Sequence, residues 1–245
     1  MTKVVARGSC RLLLPEQEQR RGRPVLLASI GASMLGATAP PPLTEQRTGV
    51  SFPGELEYCA GHDGCPIIAG AGARTKKIAG LKSLDIYALA LFVDQGAVRS
   101  SLGGMFSGTD AASLAQDQRL FDELLRHEDI EKTLHIVITS GVVKQKAFLS
   151  ALEERLKPRL QAAGQLAALD TFKRQFDDAA FRKGLEITFT AQGDKLTTTI
   201  DSMQVGAIAS PELTRTLLDV YLGADPASKG AKESIGHGLA SMVLA

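Results

Sequence analysis

The chain has 245 residues, 44% of them hydrophobic and 22% charged, with a formal net charge of +1. That length suits one soluble globular domain, or one domain with an appendage. The balanced charge leaves no basic excess for a nucleic-acid backbone, and a chain with no Trp and three Tyr offers no platform for stacked bases. Cys10, Cys59 and Cys65 are too few for a disulfide framework, and a Cys59–Cys65 disulfide would need an oxidising compartment. Cys59, His62 and Cys65 lie close together, but no second Cys/His pair follows to complete a metal site, so the segment reads as a surface loop.

The first stretch, residues 1–47, reads as an organellar targeting leader and linker. It joins Arg20, Arg21 and Arg23 to a diluted apolar run from Pro24 to Ala39, shorter than the ~20 residues of a membrane-spanning helix, so no permanent membrane anchor is expected. Ala37-Thr38-Ala39 has the small-x-small form of a processing site, and Pro40, Pro41 and Pro42 stop any helix there. The Arg20-Arg21 pair hints at a twin-arginine step into a lumen.

Residues 48–245 read as one folded unit. "TGVSF" predicts a short strand, "CPIIAGAGARTKKIAG" a long one rich in small residues, and "LDIYALALFVD" its antiparallel neighbour across a turn at Gly80 to Ser83. A short helix is predicted over Ala97 to Gly104, then a single helix capped by Asp110 with Leu114, Leu120, Phe121, Leu124 and Leu125 on its apolar side. "KTLHIVIT" alternates as a strand. The following helix gathers Ala147, Phe148, Ala151, Leu152 and Leu156 into one stripe and turns Glu153, Glu154 and Arg155 mainly outward. A further helix is predicted over Leu166 to Ala179.

"GLEITFTA", "KLTTTID" and "MQVGAIA" then follow one another without helices between them, which means an antiparallel meander. "SPELTRTLLDVYLG" is a helix with Ser210 as cap, Pro211 at its first position and Gly223 after its end, and Ser228 to Leu244 closes the chain as another. The fold class is α+β: one antiparallel sheet with helices gathered against one face. "GAGART" has Thr75 where a dinucleotide fingerprint needs its third glycine, and a strand follows it, so no such cofactor is expected. His62, His127, His135 and His237 are scattered, and no Gly-x-Ser-x-Gly elbow is present.

In order and spacing, "AGAGARTKKIAGLKSLDIYALALFVD", "LHIVITSGVVKQKAFLSALEERL" and "GLEITFTAQGDKLTTTIDSMQVGAIASPELTRTLLDVYLGADPAS" resemble the chalcone isomerase fold family. Within it, "GAR", "GLKSLDIYALALF" and "LLDVYLGADP" look closer to the non-catalytic plastid fatty-acid-binding branch than to the plant isomerases. The resemblance implies an open-faced β-sandwich with a cleft between sheet and helices, a chloroplast location in stroma or lumen, and a long-chain fatty acid as partner, with no cofactor or metal. It further implies that Arg74 and Tyr87 hold the ligand carboxylate, for which a guanidinium with two parallel N–H groups and a phenol are suited donors. Read from the residues alone, Arg74 could instead pair with Asp85 or Asp94.

The isomerase alternative assigns its chemistry to Arg, Thr, Tyr and Asn side chains. Here the matching positions are Arg74, Tyr87, Lys144 and Ala151, so three of the four polar groups are changed and Ala151 has none to offer. No catalytic residue is therefore expected, Lys144 and Ala151 being only candidate cleft positions. A non-catalytic regulator of another enzyme is the remaining alternative.

Overall fold

The computed structural model describes residues 40–57, 64–77 and 83–245. The expected processing site and the leader before it, Cys59 and His62 of the cysteine loop, and the Gly80 part of the expected turn lie outside the described residues. Cys65 is disulfide-bonded.

Folded chain begins earlier than residue 48. β1 (Leu43–Thr44) pairs antiparallel with β2 (Ser51–Phe52). The buried Glu45 carboxylate ties their connection together by accepting from the Thr48 amide at 2.8 Å and the Thr48 hydroxyl at 2.6 Å. Gly49 turns the chain at φ 71°, a left-handed value that a side chain would oppose.

The main sheet has six strands in the order of the chain, every neighbour antiparallel. They are β3 (Ile67–Lys76), β4 (Leu84–Val93), β5 (Lys132–Ile138), β6 (Glu186–Gln192), β7 (Lys195–Ile200) and β8 (Met203–Ala209). Strand alternation sorts their side chains. On β4, Tyr87, Leu89, Leu91 and Val93 join the large core under the helices, while Ala88, Ala90 and Phe92 meet Phe52 on the opposite face. The small β1–β2 sheet thus covers part of the second face. The result is the open-faced sandwich expected from the sequence.

Seven α-helices occur among the described residues: α1 (Gln95–Leu102), α2 (Ala111–Gln116), α3 (Gln118–Arg126), α4 (Gln145–Ala162), α5 (Leu166–Arg174), α6 (Pro211–Leu222) and α7 (Lys229–Leu244). The single helix expected after Asp110 is two. Asp117 takes an extended backbone (φ -72°, ψ 115°) and its carboxylate caps α3 through the Arg119 amide at 2.9 Å, which breaks the expected helix in two. α5 also stops short of Ala179, and beyond its end the rings of Phe176 and Phe181 meet that of Phe148. α6 begins as expected, with Ser210 Oγ accepting from the Leu213 amide at 3.1 Å.

α7 lies directly on β3. Backbone meets backbone there because glycines face it: a Cβ at Gly70 would stand 2.5 Å from Ile235 N, and one at Gly72 would stand 2.5 Å from Ala231 Cα. The small residues of "AGAGA" are therefore required by this close approach.

One buried charge makes a pH test of the fold. Lys132, 3% exposed at the start of β5, donates from Nζ to the carbonyls of His127 and Ile130, and burial pushes its pKa down to about 8, with Asp129 and Glu128 opposing the shift. In the unfolded chain the same lysine titrates near 10.5. Between these values the unfolded state binds more protons, so stability rises with pH. Below pH 8 the full cost is present, about 3 kcal/mol, and above 10.5 it is gone. Relative to Lys132→Met, the native thermal midpoint is expected to climb from pH 8 to 10; a constant difference between the two would contradict the assignment.

Candidate functional site

Arg74 and Tyr87 are direct cross-strand partners of β3 and β4, and side chains in such a pair share a face. That face looks toward α4 and α6. The register slips between Arg74 and Thr75, where Ile86 of β4 is the extra residue, so the bulge lies in β4 beside the point where the guanidinium leaves β3. Both residues line a cavity of about 450 Å³, within the range of small-molecule sites. Its walls are mainly apolar: Leu84 and Ile86 from β4, Val142 and Val143 from the loop after β5, Phe148 and Leu152 from α4, and Val220 from α6.

Each end of the cavity has a cause in the sequence. At the polar end, Arg74 is half-buried and donates from Nη1 to the carbonyl of Ala227, in the link between α6 and α7. Ser228 then caps α7 and donates from Oγ to the Ala73 carbonyl at 2.7 Å, fixing that link against β3. At the other end, the Phe148 ring stands edge-on to Tyr87, 6.1 Å between centroids, and continues into Phe176 and Phe181.

The acids that could have neutralised Arg74 are engaged elsewhere. Asp85 pairs with Arg47 at 3.0 Å, and Asp94 caps α1 through the Ala97 amide at 2.9 Å. Among the described residues no carboxylate forms an ion pair with Arg74. A half-buried guanidinium facing an apolar cavity with a carbonyl as its protein partner is a site for an anion.

Tyr87 is 7% exposed, and burial raises its pKa; the Tyr221 hydroxyl and the charges of Arg74 and Arg155 pull the other way. It stays a neutral donor throughout the ordinary pH range. Ala151 lines the cavity with its methyl group alone. Lys144 does not line it: this exposed residue is the N-cap position of α4, and no side-chain cap bond forms there.

Two residues of the site were not singled out by the sequence reading. Arg155 was expected to face mainly outward, yet it lines the cavity with its side chain 33% exposed, bonded to the Asp225 carbonyl at 2.6 Å and to its carboxylate at 3.0 Å. Its long stem reaches back from the flank of α4 over apolar surface, a direction that helical spacing alone does not give. Tyr221, on α6, is 1% exposed, with its ring 6.5 Å from that of Tyr87. The available signal was a tyrosine in a helix whose neighbours Leu217, Leu218, Val220 and Leu222 are all apolar, since a buried phenol needs a partner. No group of three or more His, Cys, Asp or Glu side chains gathers as a metal site among the described residues, and none of their helices is long and apolar enough to cross a membrane.

A family model described as chalcone isomerase-like matches residues 111–235, from α2 into α7. The chain belongs to the chalcone isomerase-like family. Fatty-acid-binding protein 2 of Arabidopsis thaliana is 31% identical over 206 residues, covering 81% of this chain and 51% of that protein. This chain thus spans about half the length of that relative. The crystal structure of an Arabidopsis thaliana fatty-acid-binding protein superposes with a TM-score of 0.71 at 27% identity, covering 83% of this chain and all of the other. A chalcone–flavanone isomerase of Oryza sativa subsp. japonica is 26% identical over 211 residues, covering 80% of this chain and 89% of that enzyme. The relatives named for fatty acid are the more similar in sequence.

Proposed function

We propose that this chain binds long-chain fatty acids without catalysis, carboxylate against Arg74 and Tyr87 and acyl chain along the apolar cavity, in support of plastid lipid metabolism. The observation that carries the reading is Arg74 itself: a guanidinium free of acidic partners among the described residues, opposite a buried phenol, at the head of an apolar cavity of about 450 Å³. The likeness to fatty-acid-binding proteins supports it. The plastid address rests on the leader-like composition of residues 1–47.

Ring closure of a chalcone needs polar groups around the developing enolate, each worth ~10²-fold or more. Ala151 contributes a methyl group to the cavity and Lys144 stands away from it, so turnover above background is not expected. Native mass spectrometry of the purified chain, before and after incubation with a mixed fatty-acid pool, tests the reading directly. One fatty acid per chain is the expected result. No uptake from the pool, or chalcone cyclisation that disappears in Arg74→Ala, would overturn it.

A further inference from the structure

The Tyr221 hydroxyl is sealed from solvent and has no partner of full hydrogen-bond geometry among the described residues. An unsatisfied buried hydroxyl is costly, and phenylalanine would fill the same apolar surroundings without that cost. The polar groups that act on it are those at the head of the cavity: Tyr87, Arg74 and Arg155. Both arginines are donors only, so the oxygen able to receive the Tyr221 proton is that of Tyr87. The two phenols stand edge to face, 6.5 Å between ring centroids, with Tyr87 on the cavity wall and Tyr221 behind it. Burial raises the pKa of both phenols; Tyr221 opposes that shift at Tyr87, and Tyr87 adds to it at Tyr221, the directions expected if Tyr221 is the donor of the pair.

We propose that Tyr221 is a positioning residue that donates to Tyr87 and so commits the Tyr87 hydroxyl to point its own proton into the cavity. The inference rests on the carboxylate-binding reading of the site and deepens it. A phenol left alone can donate or accept, whereas Tyr87 backed by Tyr221 presents a proton. With Arg74 beside it, the head of the cavity brings a charged donor and a committed phenol donor together, while the Ala227 carbonyl is engaged by that arginine. A carboxylate, which only accepts, fits this arrangement. A fatty alcohol offers these donors a neutral oxygen in place of a charged one, and so gains less from them. Tyr221 therefore sets selectivity for acid over alcohol from behind the wall, without touching either.

The test is displacement of a fluorescent fatty acid by hexadecanoic acid and by hexadecan-1-ol, on native protein, Tyr221→Phe, Tyr87→Phe and the double variant. Tyr221→Phe is expected to weaken the acid about fivefold and leave the alcohol nearly unchanged. In the Tyr87→Phe background the same change should cost nothing further, because the group it positions is gone. Equal loss for both ligands, or an undiminished cost in that background, would reduce Tyr221 to packing and overturn the proposal. A measurement on native protein covers the case of a variant that folds poorly. With tyrosine labelled at its ζ carbon, hexadecanoic acid should shift the Tyr87 and Tyr221 signals together, and a silent Tyr221 would overturn the proposal. Arg74→Ala separates the two layers: retained acid binding there removes the carboxylate site itself, whereas lost acid binding with an unchanged acid-to-alcohol ratio in Tyr221→Phe removes only the positioning role.

Discussion

Arg74→Ala is expected to weaken fatty-acid binding by about 100-fold or more. The acyl chain supplies most of the driving force, roughly 0.8 kcal/mol per buried methylene, so ~10 methylenes give on the order of 8 kcal/mol before ordering costs. The head group decides whether that gain is kept. A carboxylate carried into an apolar cavity without its guanidinium costs several kcal/mol, and removing one partner of a buried pair typically costs ~3–5 kcal/mol. Because Arg74 is half-buried, the lower part of that range applies. Tyr87→Phe keeps the ring against Phe148 and removes one donor, so its expected cost is nearer ~1–2 kcal/mol. Hexadecan-1-ol should be bound less tightly than the acid and be less sensitive to Arg74→Ala. Displacement titrations on folded variants give all these numbers, and equal acid affinity of native protein and Arg74→Ala would end the case for a carboxylate site.

Gly238→Ala should lower the stability of the fold markedly. An added Cβ there meets the Ala69 carbonyl oxygen at 1.8 Å, and both groups are backbone, so neither can rotate away. α7 must lift from β3. Overpacking of this kind costs ~1–3 kcal/mol and more where the obstruction is rigid, which lowers the thermal midpoint by roughly 6–12 °C for a chain of this size if ~3 kcal/mol is lost. Gly230→Ala, in the first turn of the same helix, meets nothing within 4 Å and should be neutral or slightly stabilising through helix propensity alone. Two identical chemical changes on one helix thus differ widely in their expected effect. If Gly238→Ala melted with Gly230→Ala, the close approach of α7 to β3 would be refuted.

Much of the fold was legible because local and tertiary preferences agree. The β6–β7–β8 meander alternates cleanly, and Gly193 at φ 59° supplies the tight turn that "QGD" announces. α6 carries its cap, first-turn proline and terminal glycine in sequence. Asp117 was missed because an aspartate between two apolar-periodic stretches looks the same whether it faces solvent or caps a new helix. β1 was assigned to the linker because two residues, Leu43 and Thr44, are too few to show a period. Arg74 and Tyr87 were named through a family likeness, and the structure brings them together as direct partners on the wall of one cavity. Arg155 and Tyr221 escaped it, since the reach of a long side chain and the orphaning of a buried hydroxyl are three-dimensional facts.

The Ala227–Ser228 link belongs at once to the cavity head, through Arg74, and to the seating of α7, through Ala73. A ligand bound to Arg74 as proposed would therefore sit one residue from the contact that seats α7 on β3. A ligand at 100 times its dissociation constant adds about 2.7 kcal/mol to the native state, the same order as the loss expected from a methyl group at Gly238. Under the proposed function, a thermal midpoint that rises with added hexadecanoic acid, and rises less in Arg74→Ala, is the expected sign of that coupling.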